Sequence, residues 1–170
     1  MNKIRTALLS YGMSGKVFHA PFIELHTGFE LIGAWERSKK LIQNDYPNVK
    51  SYTTLEELLT DDIDLVIVNT PVDTHFQYAK QALNAGKHII VEKAFTTTAK
   101  EAEILKKLAS EKGLKLAVYQ NRRWDSDFKT VKSVLDETVL GEIVEAEIRF
   151  DRYNPLLSAK KWKEAKNDGA

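Results

Sequence analysis

The stretch that decides the fold is Ile4-Arg5-Thr6-Ala7-Leu8-Leu9-Ser10-Tyr11-Gly12-Met13-Ser14-Gly15, near the start of the chain. Its first half is a short apolar strand pattern, and its second half is a loop with two glycines three residues apart. Such a loop at the start of a helix presents backbone N–H groups to a pyrophosphate with no side chain in the way. The stretch therefore predicts a dinucleotide-binding loop, with Gly12 and Gly15 in the second and third glycine positions and Ser10 in place of the first.

Strand-like and helix-like patterns alternate behind this loop, which is the signature of a parallel sheet with helices on its faces. Apolar runs predict strands over 4–9, 29–35, 63–69, 88–91 and 114–119. Helices are predicted between them, over 15–20, 21–25, 53–59, 74–85 and 98–112, with a short one ending at Tyr46. These repeats indicate the α/β class with a doubly wound parallel sheet, a Rossmann NAD(P)-binding domain over 1–121.

A second region follows this domain. A helix is predicted over 127–138 and a long alternating strand over 142–153. We interpret 122–170 as a hinge and the first elements of an incomplete C-terminal α/β domain. The strand has no evident partner in the chain, so it would expose an apolar edge and invite association.

The composition excludes several classes of function. Lys and Arg number 25 and Asp and Glu 24, so a net charge of +1 creates no field that would attract nucleic acid or anionic lipid. The absence of cysteine excludes disulfides, thiolate metal ligands and cysteine nucleophiles. The apolar runs are far shorter than the ~20 residues of a membrane helix, and no secretory signal precedes the first strand. We expect a soluble, cytoplasmic protein without nucleic-acid or membrane partners.

The end of the second predicted strand carries residues that could select the nucleotide. Glu36 lies 24 residues after the first loop glycine, where a carboxylate accepts hydrogen bonds from an adenosine ribose and favours NAD. Arg37 and Ser38 follow directly and could hold the 2′-phosphate of NADP by charge-assisted hydrogen bonds. Lys39 and Lys40 could assist them or be solvated charges at the start of a helix. The cofactor is therefore NADP or NAD.

The carboxyl ends of the later strands also carry polar groups, and ligands of open α/β sheets bind at such ends. Thr70 and Pro71 follow one apolar strand, and Glu92 and Lys93 follow the next. Lys93 is a candidate to hydrogen-bond a reacting hydroxyl or to relay its proton. The alternative for Glu92 and Lys93 is a surface ion pair.

Two histidines and one polar cluster complete the candidates. His19 and His75 are placed to face the same crevice, although single histidines also serve as packing residues. Neither has a second histidine at metal-ligand spacing, so no metal site is expected. The cluster Tyr119-Gln120-Asn121-Arg122-Arg123-Trp124-Asp125 suits a polyhydroxylated or anionic ligand, or a domain hinge held by ion pairs and cation–π contacts.

Several motifs occur together and in order along the chain. They are Gly12-Met13-Ser14-Gly15 with Phe18-His19-Ala20-Pro21, Asn69-Thr70-Pro71 with His75, Ala85-Gly86-Lys87-His88 leading to Glu92-Lys93, and the cluster at 119–125. This combination resembles the glucose–fructose oxidoreductase/inositol dehydrogenase/rhizopine-catabolism (Gfo/Idh/MocA) family. The strongest likeness is to its NADP-dependent scyllo-inositol dehydrogenase-like branch.

The resemblance implies a two-domain oxidoreductase that moves a hydride between a hydroxyl carbon of a sugar or cyclitol and a nicotinamide. Lys93 would be the catalytic lysine of the family's Glu-Lys-Pro motif, and Ala94 stands in place of the proline. On the substrate side we place His19, Arg122 and Trp124. The resemblance assigns cofactor contacts to Gly12, Met13, Ser14, Gly15, Glu36, Arg37, Ser38, Thr70, Pro71, His75, Glu92, Lys93 and Asn121.

Length separates the chain from the family it resembles. Family members continue through a second α/β domain, which forms the dimer and supplies an aspartate and a histidine to the substrate site. We therefore expect a truncated protein that binds the cofactor without turnover, and a homo-oligomer when full length. The alternatives are a non-catalytic dinucleotide-binding or sensor module, and a site for another nucleotide such as an adenosylated methyl donor.

Overall fold

A computed structural model describes residues 2–36, 39–151, 153 and 155. Six short strands form one sheet in which every neighbouring pair is parallel. Their order is β3-β2-β1-β4-β5-β6, so the chain builds outward from the middle and then crosses to the other side. The predicted doubly wound sheet is confirmed. The strands are β1 (Ile4–Leu8), β2 (Phe29–Trp35), β3 (Lys50–Tyr52), β4 (Leu65–Val68), β5 (His88–Val91) and β6 (Leu116–Val118).

The strand that sequence patterning misses is β3. Its residues, Lys50, Ser51 and Tyr52, form no apolar run, so they carry no local strand signal. The strand forms because it pairs in parallel with the carboxyl half of β2, where Gly33 lies opposite Lys50. The other five strands agree with the predicted ones to within two residues at each end.

The first helical segment changes its type along its length. It begins as a π-helical turn at Gly15–His19 and continues as α1 (Ala20–Leu25). The change falls directly before Pro21, which lacks the N–H that a continuous helix would need. The two separate helices predicted over 15–20 and 21–25 are therefore one continuous helical segment, whose hydrogen-bond pattern changes before the proline. The other helices of this part of the chain are α2 (Ile42–Asp45), α3 (Leu55–Thr60), α4 (Val72–Asn84) and α5 (Ala99–Glu111).

Two helices start with reciprocal side-chain caps. Thr54 accepts a hydrogen bond from the N–H of Glu57, and the Glu57 carboxylate accepts one from the N–H of Thr54, both at 3.2 Å. Thr98 and Glu101 form the same capping box on α5. Each box satisfies N–H groups that a helix start leaves without partners, so the sequence itself marks where these helices begin.

The core has two halves, one on each face of the sheet. All four residues of β4 are buried, as expected for a central parallel strand. Val66 and Val68 pack in one cluster with Leu83 of α4, whereas Ile67 packs in the other cluster with Ile23 of α1. Successive side chains of a strand point to opposite faces, so this one strand anchors both helical layers.

The chain divides into two compact units, of which the first ends at Tyr119. The second begins with a 3-10 turn at Asn121–Trp124 and α6 (Ser126–Asp136). That this second unit starts a substrate domain stays a prediction. Within the described ranges, no helix is long and apolar enough to cross a membrane.

The strand predicted over 142–153 is wrong for the residues described there. Residues 142–151 have no strand geometry, and the side chains of Val144 and Ile148 are 94% and 92% exposed. A strand is held by hydrogen bonds to a neighbouring strand, and this segment is not part of the six-stranded sheet. Alternating apolar residues alone do not form a strand.

The capping box of α3 generates a stability prediction. Replacing Thr54→Ala removes the hydroxyl that accepts from Glu57, and we expect it to lower the free energy of unfolding by about 1 kcal/mol. The matched variant Thr54→Ser keeps the hydroxyl and should retain most of that stability. Urea unfolding of the three proteins measures the difference, and an equal loss in both variants would contradict a capping role.

Candidate functional site

The candidate site lies at the carboxyl ends of the strands, where the strand order reverses between β1 and β4. This reversal is the position at which open α/β sheets bind ligands. A cavity of about 340 Å³ opens there. Its walls come from the ends of β1, β2 and β4, including Gly12, Glu36, Lys39, Thr70 and Pro71.

The loop after β1 is closed by its own residues and by the end of β4. The N–H of Gly12 donates to Ser10 Oγ at 3.2 Å, and the Asn69 side-chain amide donates to the Ser10 carbonyl at 2.8 Å. Among the described non-glycine residues only Thr138 has a positive φ, so Ser10 adopts this turn without a glycine's freedom. Serine therefore replaces the usual first glycine without backbone strain.

The two loop glycines do different work. A Cβ on Gly15 would lie 2.3 Å from the Ser10 carbonyl oxygen and 3.1 Å from Asn69 Nδ2. A Cβ on Gly12 would meet nothing closer than Ser10 Oγ at 3.4 Å. Gly15 thus lets the helix pack against the strand ends, and Gly12 leaves the open side of the loop bare. This is the cradle that a dinucleotide pyrophosphate requires, so the residues present fit the cofactor.

A second set of contacts ties the loop to α2. Asp45 accepts a hydrogen bond from the Tyr11 hydroxyl at 2.8 Å and pairs with the Lys16 ammonium at 2.7 Å. Burial and the hydrogen bond to Asp45 raise the pKa of the Tyr11 phenol, so the hydroxyl stays a donor. The loop after β1 and the end of α2 are therefore held together.

The carboxylate of Glu36, predicted to contact the ribose, accepts hydrogen bonds from other residues of the chain. Its two carboxylate oxygens accept hydrogen bonds from the N–H groups of Leu41 at 2.9 Å and Ile42 at 3.1 Å, and from Ser51 Oγ at 3.0 Å. The side chain caps the start of α2 and fastens it to β3. Its contact with a ribose stays a prediction. Arg37 and Ser38, the candidates for a 2′-phosphate, lie outside the described residues.

Glu92, at the end of β5, joins the site to the loop. Its Oε1 accepts a hydrogen bond from Ser14 Oγ at 2.6 Å and lies 2.8 Å from His19 Nε2. Burial raises the pKa of the Glu92 carboxyl, but the hydrogen bonds from His19 and Ser14 outweigh it, so the pKa is lowered from the ordinary 4.5. Glu92 is a carboxylate held by two donors from the first helical segment.

His19 is fixed on both sides. It is only 3% exposed, and its ring lies against Tyr119 with 4.4 Å between the ring centroids. The Tyr119 hydroxyl in turn donates to the carbonyl of Phe18 at 3.0 Å. The ring of His19 is buried within the protein. Its contact with a substrate stays a prediction.

Lys93 follows Glu92 and is exposed. Its N–H donates to Glu92 Oε2 at 3.3 Å, whereas its ammonium makes no hydrogen bond or ion pair with any described residue. Within the described ranges Glu92 pairs with His19 instead, so the alternative of a surface ion pair with Lys93 is not what the structure contains. The ammonium is available to a ligand.

The remaining candidates are distributed between the two units. Met13 is 66% exposed on the phosphate loop. In the second unit, Arg122 pairs with Asp125 at 2.9 Å, and the Lys129 ammonium lies 5.6 Å from the ring centroid of Trp124. Asn121 starts the 3-10 turn of the same unit. Ligand contacts of these residues stay predictions. The described residues contain no cluster of three His, Asp or Glu that could hold a metal ion.

A comparison with known protein families shows to which family the chain belongs. The Gfo/Idh/MocA model, described as an oxidoreductase family with an NAD-binding Rossmann fold, matches residues 4–120. The chain belongs to this family. The predicted resemblance is therefore confirmed, and so is the cofactor class, NADP or NAD.

Relatives within the Gfo/Idh/MocA family match almost the whole chain. An uncharacterized oxidoreductase of Schizosaccharomyces pombe is 46% identical over an alignment of 175 residues, which covers 99% of this chain and 48% of the relative. The scyllo-inositol 2-dehydrogenase (NADP(+)) of Bacillus subtilis is 38% identical over 165 residues, covering 96% and 46%. A solved structure from Yersinia pestis has a TM-score of 0.88 at 44% identity, covering 94% and 46%. The chain spans about half the length of the curated relatives it matches.

The packing of the loop generates a prediction for its two glycines. Gly15→Ala places a methyl group against fixed backbone, and we expect it to lower the free energy of unfolding by more than about 2 kcal/mol. Gly12→Ala meets only the tip of Ser10, and we expect a change below about 1 kcal/mol. Urea unfolding checks both values, and similar losses in the two variants would contradict the division of roles.

The lowered pKa of Glu92 generates a pH prediction. Because the folded protein holds this carboxylate ionised, its stabilisation is present above the ordinary pKa of 4.5 and is lost as the pH falls through the lowered pKa. Glu92→Gln should therefore cost about 2 kcal/mol near pH 7, with a smaller cost at low pH. Urea unfolding across pH 3–7 measures the trend, with the exposed Glu103→Gln as the control. A cost that does not change with pH would contradict it.

Proposed function

We propose that the chain is the cofactor-binding part of an NADP- or NAD-dependent dehydrogenase, which acts on a hydroxyl-bearing carbon of a cyclitol or sugar. The observation that carries the proposal is the 2.6 Å hydrogen bond between Ser14 of the phosphate loop and Glu92, the residue before Lys93. It joins the loop that would hold the cofactor phosphates to the strand end that would bring an ammonium to the reacting group.

Of the two cofactors we propose NADP. The Glu36 carboxylate already accepts three hydrogen bonds, so it has little capacity to bind the ribose hydroxyls that mark NAD. Lys39 lines the same cavity and brings a positive charge. Arg37 and Ser38 stand between these two residues in the sequence and add a guanidinium and a hydroxyl. The Bacillus subtilis relative is named for NADP, which supports the same choice.

Gly12, Ser14 and Gly15 would hold the cofactor pyrophosphate, and Thr70 and Pro71 would line the wall beside it. The nicotinamide, when bound, supplies the hydride chemistry. The chain's own part in the reaction is a proton transfer. Lys93 would hold a hydrogen bond to the substrate oxygen. As the uncharged amine it would take the hydroxyl proton as the carbonyl forms, and as the ammonium it would return that proton in the opposite direction. Glu92 holds the backbone next to Lys93 and is itself fixed by Ser14.

Substrate and assembly concern the whole protein. The names of relatives, such as scyllo-inositol 2-dehydrogenase, support a cyclitol or sugar. We propose that His19, Arg122 and Trp124 stand on the substrate side, and that the full-length protein is a homo-oligomer. The enzyme would work in the cytoplasm, where the nicotinamide pool is accessible to it.

The cofactor proposal predicts a clear order of affinities. We expect NADPH to bind more tightly than NADH, because Lys39 brings a positive charge to the cavity and the Glu36 carboxylate beside it already accepts three hydrogen bonds. Lys39→Ala should weaken NADPH binding about fivefold and leave NADH binding unchanged, as expected for one exposed charge pair. The neighbouring Lys40→Ala is the matched control. Quenching of tryptophan fluorescence measures each affinity, and tighter binding of NADH would contradict the proposal.

The proposed role of Lys93 predicts that its loss affects turnover much more than cofactor affinity. In a chain extended to the full length of its relatives, Lys93→Ala should lower kcat by roughly 10²–10⁴-fold, because a positioned acid–base group contributes that much. The affinity for NADPH should stay close to that of the wild type. Lys100→Ala, an exposed lysine at the start of α5, is the control. Unchanged turnover would favour a non-catalytic cofactor-binding module.

A further inference from the structure

His75 is a buried polar residue, and its ring nitrogens lie beside backbone carbonyls. It lies in the first turn of α4 and is 1% exposed. Its Nδ1 lies 2.8 Å from the carbonyl oxygen of Ala94, and its Nε2 lies 2.8 Å from the carbonyl oxygen of Thr70. Both ring nitrogens thus face backbone carbonyls, and His75 is not among the residues that line the cavity.

The two carbonyls belong to the two loops that matter most for the proposed reaction. Thr70 lines the cofactor cavity, and Ala94 follows Lys93 directly. The ring therefore spans the gap between the loop after β4 and the loop after β5. A neutral imidazole carries one N–H and so donates to one of the two carbonyls, whereas an imidazolium donates to both. Since the ring stands on a thirteen-residue helix packed on the sheet, each bond that it donates ties a loop to a fixed element.

We propose that His75 is a positioning residue for Lys93, which it orients by donating its Nδ1–H to the Ala94 carbonyl. A carbonyl oxygen can only accept, so the contact at 2.8 Å is a hydrogen bond when Nδ1 carries the proton. The proposal rests on the proposed function, because the position of Lys93 matters only if Lys93 meets the cofactor and substrate.

Lys93 is consequently held from both sides. On one side, Glu92 is fixed to the first helical segment by Ser14 and His19. On the other side, His75 fixes Ala94 to α4. The Lys93 side chain itself has no hydrogen-bond partner among the described residues, so its direction depends on how these two neighbours hold the backbone. Placement of this kind affects rate strongly, because a shift of about 1 Å in a reacting group can cost ~100-fold.

A direct test observes the proton. Long-range ¹H–¹⁵N correlation spectra of the wild-type chain at pH 7 distinguish protonated from unprotonated ring nitrogens. The expected result is a protonated, slowly exchanging Nδ1 in His75. An unprotonated Nδ1 would overturn the proposal. This measurement needs neither cofactor nor turnover, so it stands even if the chain binds no nicotinamide, which would instead refute the proposed function.

A pair of amide variants tests the effect on Lys93. The side-chain amide of His75→Asn can place a donor where Nδ1 stands, facing Ala94, whereas that of His75→Gln places it where Nε2 stands, facing Thr70. The lysines carry ¹³C-methyl labels introduced by reductive methylation, and Lys93→Arg identifies the signal of Lys93. The exposed His26→Gln is the control, since the contacts that its ring makes are with Gly28 and Phe29.

The expected outcome separates positioning from general packing. In the cofactor-free chain, His75→Gln should shift the Lys93 signal, and His75→Asn should leave it near the wild-type position. With NADP⁺ added, the His75→Gln variant should lose the response of the Lys93 signal that the wild type shows. Equal Lys93 signals in the two variants would overturn the proposal. If neither variant folds, the protonation of Nδ1 in the wild type decides it.

Discussion

The site depends on one steric constraint, the absence of a side chain at residue 15. Because Gly15 has no Cβ, the first helical segment can lie directly against the Ser10 carbonyl and the Asn69 amide. This close packing sets where the loop ends and the helix begins. The N–H groups of the loop, the position of Ser14 and the position of His19 all follow from it. A methyl group at this point would displace each of them together.

From that constraint the polar contacts of the site form a connected set. Ser14 and His19 leave the packed segment on the side of β5 and meet the carboxylate of Glu92. Few of these groups are free to choose another partner, since most are half-buried or buried. A buried polar network of this kind stabilises one arrangement over its alternatives, because a buried donor that loses its partner cannot form a replacement hydrogen bond with water. The candidate catalytic strand end and the phosphate loop are thus one structural unit.

Sequence patterns predicted most of the fold and the local capping contacts, but not the contacts between residues far apart in the chain, for a physical reason. Strand β4 could be recognised because burial on both faces demands an uninterrupted apolar run, and such a run is local. Strand β3 was missed, and the segment over 142–151 was wrongly predicted as a strand. Whether such a segment becomes a strand depends on pairing with a neighbour, which the local pattern does not show. Glu36 is an example: its ribose contact stays a prediction, and the local pattern gave no sign that Ser51 and the start of α2 donate hydrogen bonds to its carboxylate. The direction of a side chain depends on residues that approach only in the folded protein.

The bond between Tyr11 and Asp45, with Lys16 on the same carboxylate, has a consequence for how tightly a ligand can be held. It joins the loop after β1 to the end of α2. These two segments therefore lose their relative freedom when the chain folds, before any ligand arrives. For the proposed dinucleotide, the part of the ordering cost of binding that comes from this loop is thus met on folding.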